Sequence, residues 1–398
     1  MEEWKEYRLG DICSRVCSGG TPSSRHDEYY GGNIPWLNTK EVDFKPIYNT
    51  EKKITQEGLE NSSAKWIEEN TIVVAMYGAT AGKTAIAKIP LTTNQACCNL
   101  TINPTVADYR FVYYSLANKF NELASLANGG AQQNLNAQII KDFVISLPGI
   151  YTQKFIANIL SSLDEKIENN RKINSNLEEQ AKALFKSWFI DFEPFKDGKF
   201  IDSELGKIPE GWKVVTIGEV TDNIKEKVCD RDSIKVLSPV TSGHLVLSEE
   251  YFSKQVFSSS IAKYIVVKHN DFAYNPARIN IGSIGMNEFE FDGCVSPVYV
   301  VFRCQSGYEY FFDLYRRTSY FIEEVKKRAI GGVRQTLSYK DLSLIQLIYP
   351  PKKVVDAFNF IYISFIHEIH SNDVSNKKLE AIRDTLLPKL MSGEIDVR

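Results

Sequence analysis

The sequence predicts a mixed α/β protein built from two similar globules and two long antiparallel coiled-coil helices, arranged as a pseudo-twofold internal repeat. Three observations support this fold class. The second half of the chain repeats the first, each half alternates strand-like and helical stretches, and each half ends in a long helical pattern. A repeat unit of about 200 residues is far longer than the 20–50 residues of a solenoid repeat, so we interpret it as a duplicated domain pair.

The repeat is clearest from Leu135 and Leu337 onward, where a single offset aligns the two halves without a gap. Upstream the match is looser: Trp4-Lys5 corresponds to Trp212-Lys213, and small changes of offset between such anchors indicate insertions in loops. Two copies of one unit predict two similar binding sites.

Within each globule, β-branched and aromatic residues predict strands, and a Gly-Gly pair closes a helical stretch. The first globule is predicted to have strands at 71–76 and 98–102 and a helix at 109–128, and the second to have strands at 264–267 and 298–302 and a helix at 308–330. Each unit is therefore expected to be a mixed α/β globule.

A long helix is predicted after each globule. No Gly or Pro occurs between Tyr151 and Glu193, and apolar residues recur alternately four and three residues apart, which is typical of a coiled-coil seam. The predicted boundaries are a globule at 1–150, a spacer helix at 151–193, a linker and second globule at 194–351, and a second spacer helix with a tail at 352–398.

The register of the two helices follows from their asparagines. Asn170 and Asn174 occupy central seam positions of the first helix, and Asn372 and Asn376 occupy those of the second. An antiparallel pair centred on these residues sets Asn170 opposite Asn376 and Asn174 opposite Asn372. The same register pairs Leu160 with Leu386, Ile167 with Leu379, Leu177 with Ile369, and Trp188 with Phe358. Buried Asn pairs lower stability but disfavour slipped registers.

Composition narrows the class of protein. The chain has 398 residues, 43% of them hydrophobic and 24% charged, which excludes a disordered protein. Its start is acidic and no apolar run approaches the roughly 20 residues of a membrane span, so we expect a cytoplasmic protein without a membrane partner. The seven cysteines form no CxxC pair, which predicts reduced, mostly buried thiols. A net charge of −3 means that DNA binding has to depend on local patches.

The segment Gly78–Thr84 has some likeness to a phosphate-binding loop. That motif needs four residues between its glycines, whereas Gly78 and Gly82 are separated by three. The following residues 85–90 also predict a strand where a phosphate loop leads into a helix. We favour a Gly-rich hairpin, and the functional alternative is a loop that offers Thr80, Lys83 and Thr84 to DNA.

No catalytic or metal-binding motif is found. His367 and His370 lie on the second long helix without a further ligand close in sequence, so a solvated helix face is favoured over a metal site. The segment Asn275–Arg278 matches only part of the Asn-Pro-Pro-Tyr motif that binds a target base. We predict no catalytic residues and no bound metal or cofactor in this chain.

Polar and basic residues recur in corresponding loops of the two copies. Arg, Asn and Gln side chains can hydrogen-bond the edges of bases, whereas Lys usually contacts phosphate. The candidate DNA-binding residues are Thr80, Lys83, Thr84, Gln132, Gln133, Asn134, Arg278, Asn280, Arg334 and Gln335.

These motifs together resemble those of the specificity subunit of type I restriction–modification systems. The resemblance covers the whole chain and depends on the order and duplication of its motifs: the opening Trp-Lys and Leu-Gly-Asp-Ile, the 78–84 loop, residues 94–98, and residues 129–135 ahead of the Asn-containing helix. The second copy departs most in the glycine loop, where residues 274–283 take its place. Different target half-sites would require such divergence.

The resemblance implies a non-catalytic subunit with two target-recognition domains that bind a bipartite site in double-stranded DNA. Its partners would be two methylation subunits and, for cleavage, restriction subunits, and these would carry the sites for S-adenosylmethionine, ATP and magnesium. Two alternatives stay open. One is a nucleotide-binding enzyme that uses the Gly78–Thr84 loop, and the other is a protein-binding scaffold that does not contact DNA.

Overall fold

The computed structural model describes residues 4–127, 134–231, 234–252, 258, 260–329 and 336–395. The chain divides into two compact units: unit 1 joins Met1–Arg171 with Asn372–Arg398, and unit 2 is Lys172–Ser371. Each long helix therefore contributes to both units. Within the described ranges, no helix is both long and apolar enough to cross a membrane.

The first half of the chain contains short strands followed by helices. Its strands are β1 (Lys5–Arg8), β2 (Cys13–Ser18), β3 (Tyr30–Leu37), β4 (Pro46–Ile47), β5 (Lys52–Ile54), β6 (Trp66–Ile67), β7 (Ile72–Ala75), β8 (Thr84–Ala87), β9 (Leu91–Thr93), β10 (Cys97–Ile102) and β11 (Val144–Leu147). Its helices are α1 (Gln56–Glu60), α2 (Tyr109–Asn118), α3 (Phe120–Ser125), α4 (Ala137–Asp142) and α5 (Ile150–Phe189).

The second half follows the same plan. Its strands are β12 (Phe200–Ser203), β13 (Gly206–Pro209), β14 (Lys213–Thr216), β15 (Thr221–Ile224), β16 (Lys235–Pro239), β17 (Leu245–Leu247), β18 (Ile265–Val267), β19 (Phe272–Tyr274), β20 (Ile284–Met286), β21 (Gly293–Val295), β22 (Val300–Cys304) and β23 (Gln346–Tyr349). Its helices are α6 (Ile217–Val220), α7 (Ser248–Tyr251), α8 (Glu309–Tyr315), α9 (Ser319–Arg328), α10 (Tyr339–Leu342) and α11 (Lys352–Met391).

The sheets of the two units share one strand order, except that β4 of unit 1 has no counterpart in the first sheet of unit 2. In unit 1 the order is β2-β10-β7-β8-β4 in one sheet and β5-β3-β9-β6 in the other, with β1 paired to β11. In unit 2 it is β15-β22-β19-β20 and β17-β16-β21-β18, with β14 paired to β23. The second sheets even share one parallel contact at the same place, β3 with β9 and β16 with β21. The internal repeat therefore extends to topology.

The central strand of each unit is buried on both faces. In β7, Ile72 and Val74 pack with the helices, while Val73 and Ala75 pack against the second sheet. Side chains of a strand alternate between its faces, so an unbroken apolar run predicts burial on both. The predicted strands near 71–76, 98–102, 264–267 and 298–302 are confirmed as β7, β10, β18 and β22.

Each helix predicted within a globule is in fact two helices. The stretch 109–128 divides into α2 and α3 at Lys119, whose ψ of 17° departs from helical geometry. The stretch 308–330 divides into α8 and α9 because Thr318 is extended, with ψ 151°, and its side chain caps the amide of Phe321. A side-chain cap of this kind begins a new helix.

The first long helix ends four residues before the predicted end at 193. The amide of Asp191 donates to the carbonyl of Lys186 at 2.8 Å, and Phe192 follows in the left-handed region with φ 55°. Phe192 is buried in the core of unit 2, so packing turns the chain where the absence of Gly and Pro predicts more helix. The predicted start of the second spacer helix at 352 agrees with α11.

The two long helices pack antiparallel within each unit, as predicted. In unit 1, Leu160 and Leu386 join one apolar core, and the Asn170 side chain donates to Oδ1 of Asn376 at 2.9 Å. In unit 2, the rings of Trp188 and Phe358 lie 6.0 Å apart. The contacts of Asn170 with Asn376 and of Trp188 with Phe358 belong to the predicted register, and the core shared by Leu160 and Leu386 is compatible with it.

Asn174, another of the four central asparagines, makes a different contact. Nδ2 of Asn174 donates to the carbonyl of Ile369 at 3.4 Å within unit 2. The pairing of Asn174 with Asn372, and the division of the chain into functional modules at 150, 193 and 351, stay predictions.

Candidate nucleic-acid interface

The segment Gly78–Thr84 forms the connection of a β-hairpin in unit 1. Strands β7 and β8 pair antiparallel, and the loop closes through a 2.9 Å hydrogen bond from the amide of Gly82 to the carbonyl of Ala75. Gly78 and Gly82 have φ of 72° and 87°, a region that favours glycine. A strand follows this loop where a phosphate-binding loop leads into a helix, so the predicted hairpin is confirmed.

Three polar or aromatic residues are brought together at this hairpin. Tyr77 forms an isolated β-bridge with Asn134, and the next amide, that of Leu135, donates to the carbonyl of Met76 at 2.8 Å. Thr80 lies half-buried in the same loop and donates to the carbonyl of Tyr77. Tyr77 is 44% exposed, so the cluster presents an aromatic face beside amide and hydroxyl groups.

Two other candidates in this loop are placed differently. Thr84 is fully buried on β8, and this burial corrects the expectation that its side chain is offered to DNA. Nζ of Lys83 lies 2.6 Å from Oδ1 of Asp43 and 6.0 Å from the centre of the Phe44 ring. A phosphate would therefore compete with Asp43 for this ammonium group.

Unit 2 has a hairpin at the corresponding place, with residues Asn275–Ser283 between β19 and β20. Its loop folds back on itself, because the amide of Ser283 donates to the carbonyl of Arg278 at 3.1 Å. The side chain of Arg278 is exposed and Asn280 is half-buried. The amide of Leu337 donates to the carbonyl of Pro276 at 3.1 Å, which repeats the contact between Leu135 and Met76.

The structure therefore groups the candidates into two equivalent loop clusters. In each, the hairpin after the central strand meets the segment that leads into a short helix, α4 or α10. Four predicted site residues, Gln132, Gln133, Arg334 and Gln335, lie outside the described residues.

Several cysteine thiols and the helix histidines lie outside the two loop clusters. Burial raises the pKa of the Cys13 and Cys98 thiols to about 12, so neither provides a reactive thiolate near neutral pH. Both His367 and His370 have exposed positions on α11. In the part of the chain that the structure describes, no three His, Cys, Asp or Glu side chains are grouped to hold a metal ion.

Sequence reasoning missed two features beside these clusters. Tyr77 is exposed and directly precedes the Gly78 turn. The signal available in the sequence was an aromatic residue next to a turn glycine. The turn between β16 and β17, Thr241–His244, touches the unit 2 hairpin loop. Its Ser242-Gly243 pair marks a turn, but nothing in the sequence connects that turn to Arg278.

Comparison with known proteins agrees with this architecture. Residues 1–179 match the type I restriction modification DNA specificity domain. A type I restriction enzyme specificity subunit of Methanocaldococcus jannaschii is 28% identical over 411 residues, which cover 100% of this chain and 94% of the relative. One from Haemophilus influenzae is 23% identical and covers 99% of this chain and 100% of the relative.

Among solved structures, the S subunit of a type I restriction-modification system from M. genitalium has the same fold. It aligns with a TM-score of 0.62 at 16% identity and covers 98% of this chain and 96% of that one. Because the domain match covers residues 1–179 and both relatives align along nearly their whole length, the chain is similar throughout to type I restriction enzyme specificity subunits.

Proposed function

We propose that this chain is a type I specificity subunit that recognises a bipartite DNA target, with each unit reading one half-site through its loop cluster. The observation that supports this proposal is the recurrence of one backbone arrangement with different side chains. Tyr77, Thr80 and Asn134 occupy the cluster of unit 1, whereas Arg278 and Asn280 occupy that of unit 2. Two similar backbone arrangements that carry different side chains are suited to bind two different half-sites.

The side chains fit the chemistry of base recognition. Arg can donate two hydrogen bonds to guanine, and Asn can pair with adenine through its amide. The exposed guanidinium of Arg278 is available for the first contact, and Asn134 carries the amide for the second. Thr80 and the backbone amides of both hairpins would contact phosphate or sugar, which positions the protein without reading sequence.

The catalytic work would belong to other chains. Specificity subunits of this family are non-catalytic. Under this proposal two methylation subunits bind S-adenosylmethionine and modify adenine, and restriction subunits, where present, use ATP and magnesium. This role would be carried out in the cytoplasm.

Exchange of one unit tests the two-module proposal. Residues 1–150 are replaced by the corresponding domain of another family member, and methylated motifs are sequenced in a host that also expresses the methylation subunits. We expect a change in one half of the split motif and an unchanged second half. The reciprocal exchange of residues 194–351 is the matched control and should change only the other half. A change in both halves from one exchange would contradict the proposal.

A further inference from the structure

A polar turn in unit 2 lies next to the Arg278 hairpin. It connects β16 to β17 and is closed by a 3.0 Å hydrogen bond from the amide of Val240 to the carbonyl of His244. Three residues lie between the hydrogen-bonded Val240 and His244, and Gly243 among them takes the left-handed position with φ 84°, a common geometry for such hairpins. The side chains of Thr241, Ser242 and His244 are exposed.

The turn and the hairpin loop are packed backbone to backbone. Oγ of Ser283 donates to the carbonyl of Pro239 at 2.7 Å. A Cβ at Gly282 would lie 2.8 Å from the carbonyl oxygen of Thr241, closer than side chains approach. A Cβ at Gly285 would lie 2.6 Å from the carbonyl carbon of His244. The two loops therefore form one continuous surface, and glycine is required where they touch.

A buried arginine hydrogen-bonds to both parts of this surface. Arg316, which directly follows α8, is only 5% exposed. Its Nη1 donates to the carbonyl of Ile284 at 3.0 Å, and its Nη2 donates to the carbonyl of Gly243 at 2.9 Å. One guanidinium thus contacts both the strand after the hairpin loop and the turn between β16 and β17.

The charge of Arg316 is balanced within the core. Asp313, 1% exposed, accepts hydrogen bonds from Arg316 and also from Arg317 at 2.6 Å. A buried ion pair carries a large desolvation cost and adds little net stability compared with apolar packing. Its hydrogen bonds to two carbonyls instead fix geometry, because the guanidinium group is rigid and planar.

We propose that the turn Thr241–His244 is a second DNA-contacting element of unit 2 and that Arg316 is its positioning residue. This inference rests on the proposed function, because it takes Arg278 to face DNA. Loops in direct contact lie within the width of one major groove, about 12 Å, so a duplex bound at Arg278 extends over the turn. The hydroxyls of Thr241 and Ser242 can then donate to phosphates or base edges. The imidazole of His244 can do so in competition with Glu288, whose Oε2 lies 3.5 Å from its Nδ1.

Unit 1 fixes its hairpin by different contacts. The amide of Phe44 donates to the carbonyl of Thr84 at 2.8 Å, and Asp43 pairs with Lys83. The Arg316 contacts described above are made within unit 2. The effects of changing them are therefore expected in one half-site only.

The turn is tested with Ser242→Ala and His244→Ala in the full-length chain assembled with its methylation subunits. We expect DNA affinity to fall about tenfold and base preference to relax in the second half-site, with the first half-site unchanged. His269→Ala is the matched control, because His269 is also exposed but precedes β19, whereas Arg278 follows that strand. Unchanged affinity and motif in both turn variants would overturn the proposal.

Arg316→Lys tests the positioning role. Lysine keeps the charge but cannot bind two carbonyls and a carboxylate in one plane. We expect a relaxed second half-site, and His244→Ala added to this variant should have little further effect, because both act on one surface. Arg317→Lys is the control, since Arg317 shares Asp313 as partner. Additive effects of Arg316→Lys and His244→Ala, or equal relaxation by Arg317→Lys, would refute the positioning role.

Two measurements keep these outcomes distinct. Thermal unfolding identifies any variant that fails to fold, and in that case the comparison rests on the exposed Ser242 and His244 variants. If the unaltered subunit directs no split methylation motif, the proposed function itself fails. If the motif is present but is not changed by substitutions in the turn or at Arg316, only the further inference fails.

Discussion

At the scale of residues, one polar network joins the globule of unit 1 to its long helices. Oη of Tyr114 in α2 donates to Oδ2 of Asp164 in α5 at 2.6 Å. Arg383 in α11 donates to Oδ1 of the same carboxylate at 2.8 Å. Burial, followed by the charge of Asp164, raises the pKa of Tyr114, so its phenol stays a hydrogen-bond donor at any physiological pH. Three elements are thus held by a single side chain.

Removal of the Tyr114 hydroxyl should destabilise unit 1. We expect Tyr114→Phe to lower the free energy of unfolding by about 1–2 kcal/mol, because the ring still packs but a charge-assisted hydrogen bond is lost. Urea unfolding measures this effect. Tyr151→Phe is the control, since Tyr151 is 88% exposed and should change stability by less than about 0.5 kcal/mol. Equal effects of the two variants would show that the network adds nothing.

Single residues also show where prediction from sequence fails. A basic residue in a Gly-rich loop identifies Lys83 as a candidate, but its partner Asp43 is 40 residues away and could not be foreseen. Thr84 differs from Thr80 only by its place in the hairpin, where strand pairing turns it inward. The contacts of Arg316 likewise join segments separated by up to 73 residues. Such contacts depend on tertiary structure, which local patterns do not encode.

At the scale of elements, the helices with strong periodicity were predictable and their interruptions were not. The seam of α5 and α11 appears in the sequence because 40 residues repeat the same spacing. The breaks at Lys119 and Thr318 involve ordinary helix-compatible residues, and only packing and capping decide them. The sheets were located at their apolar strands, but the pairing order needed the structure.

The asparagine contact between α5 and α11 should contribute more to register than to stability. Asn170 is 1% exposed, and its Oδ1 has no hydrogen-bond partner within the described chain. We expect Asn376→Leu to cost about 1–3 kcal/mol, because it leaves the Asn170 amide buried without its acceptor. Adding Asn170→Leu should recover most of that loss, since no unpaired polar group is left.

A double-mutant cycle in urea measures the coupling. Asn169→Leu, at the exposed neighbouring position, serves as the control for a leucine added to this helix. Independent costs of the two substitutions at Asn170 and Asn376 would mean that the hydrogen bond seen here does not couple them in solution.

At the scale of the whole molecule, the length of the spacer helices should determine the length of the unread gap between the two proposed half-sites. Seven residues inserted in both helices at the asparagine positions preserve the seam, because seven residues are one coiled-coil repeat. Each helix then grows by about 10 Å. We expect the unread gap of the methylated motif to increase by about three base pairs, at about 3.4 Å per pair.

Methylome sequencing reads this result directly. A seven-residue insertion after the exposed Glu204, in the turn between β12 and β13, is the control and should leave the gap unchanged. An unchanged gap after the helix insertions would mean that another part of the assembly determines the spacing.

Unit 1 is built from two separate segments of the chain, which has a consequence for its folding during synthesis. Unit 2 is one continuous segment, whereas unit 1 also needs residues 372–395. Leu390 is 2% exposed in the core of unit 1, and Leu386, Leu387 and Met391 pack beside it. A ribosome that has released residue 371 has therefore delivered all of unit 2, while the first globule it made still exposes the apolar surface that these residues cover. The unit translated first is completed last, and until then it offers that surface to chaperones or to another nascent chain.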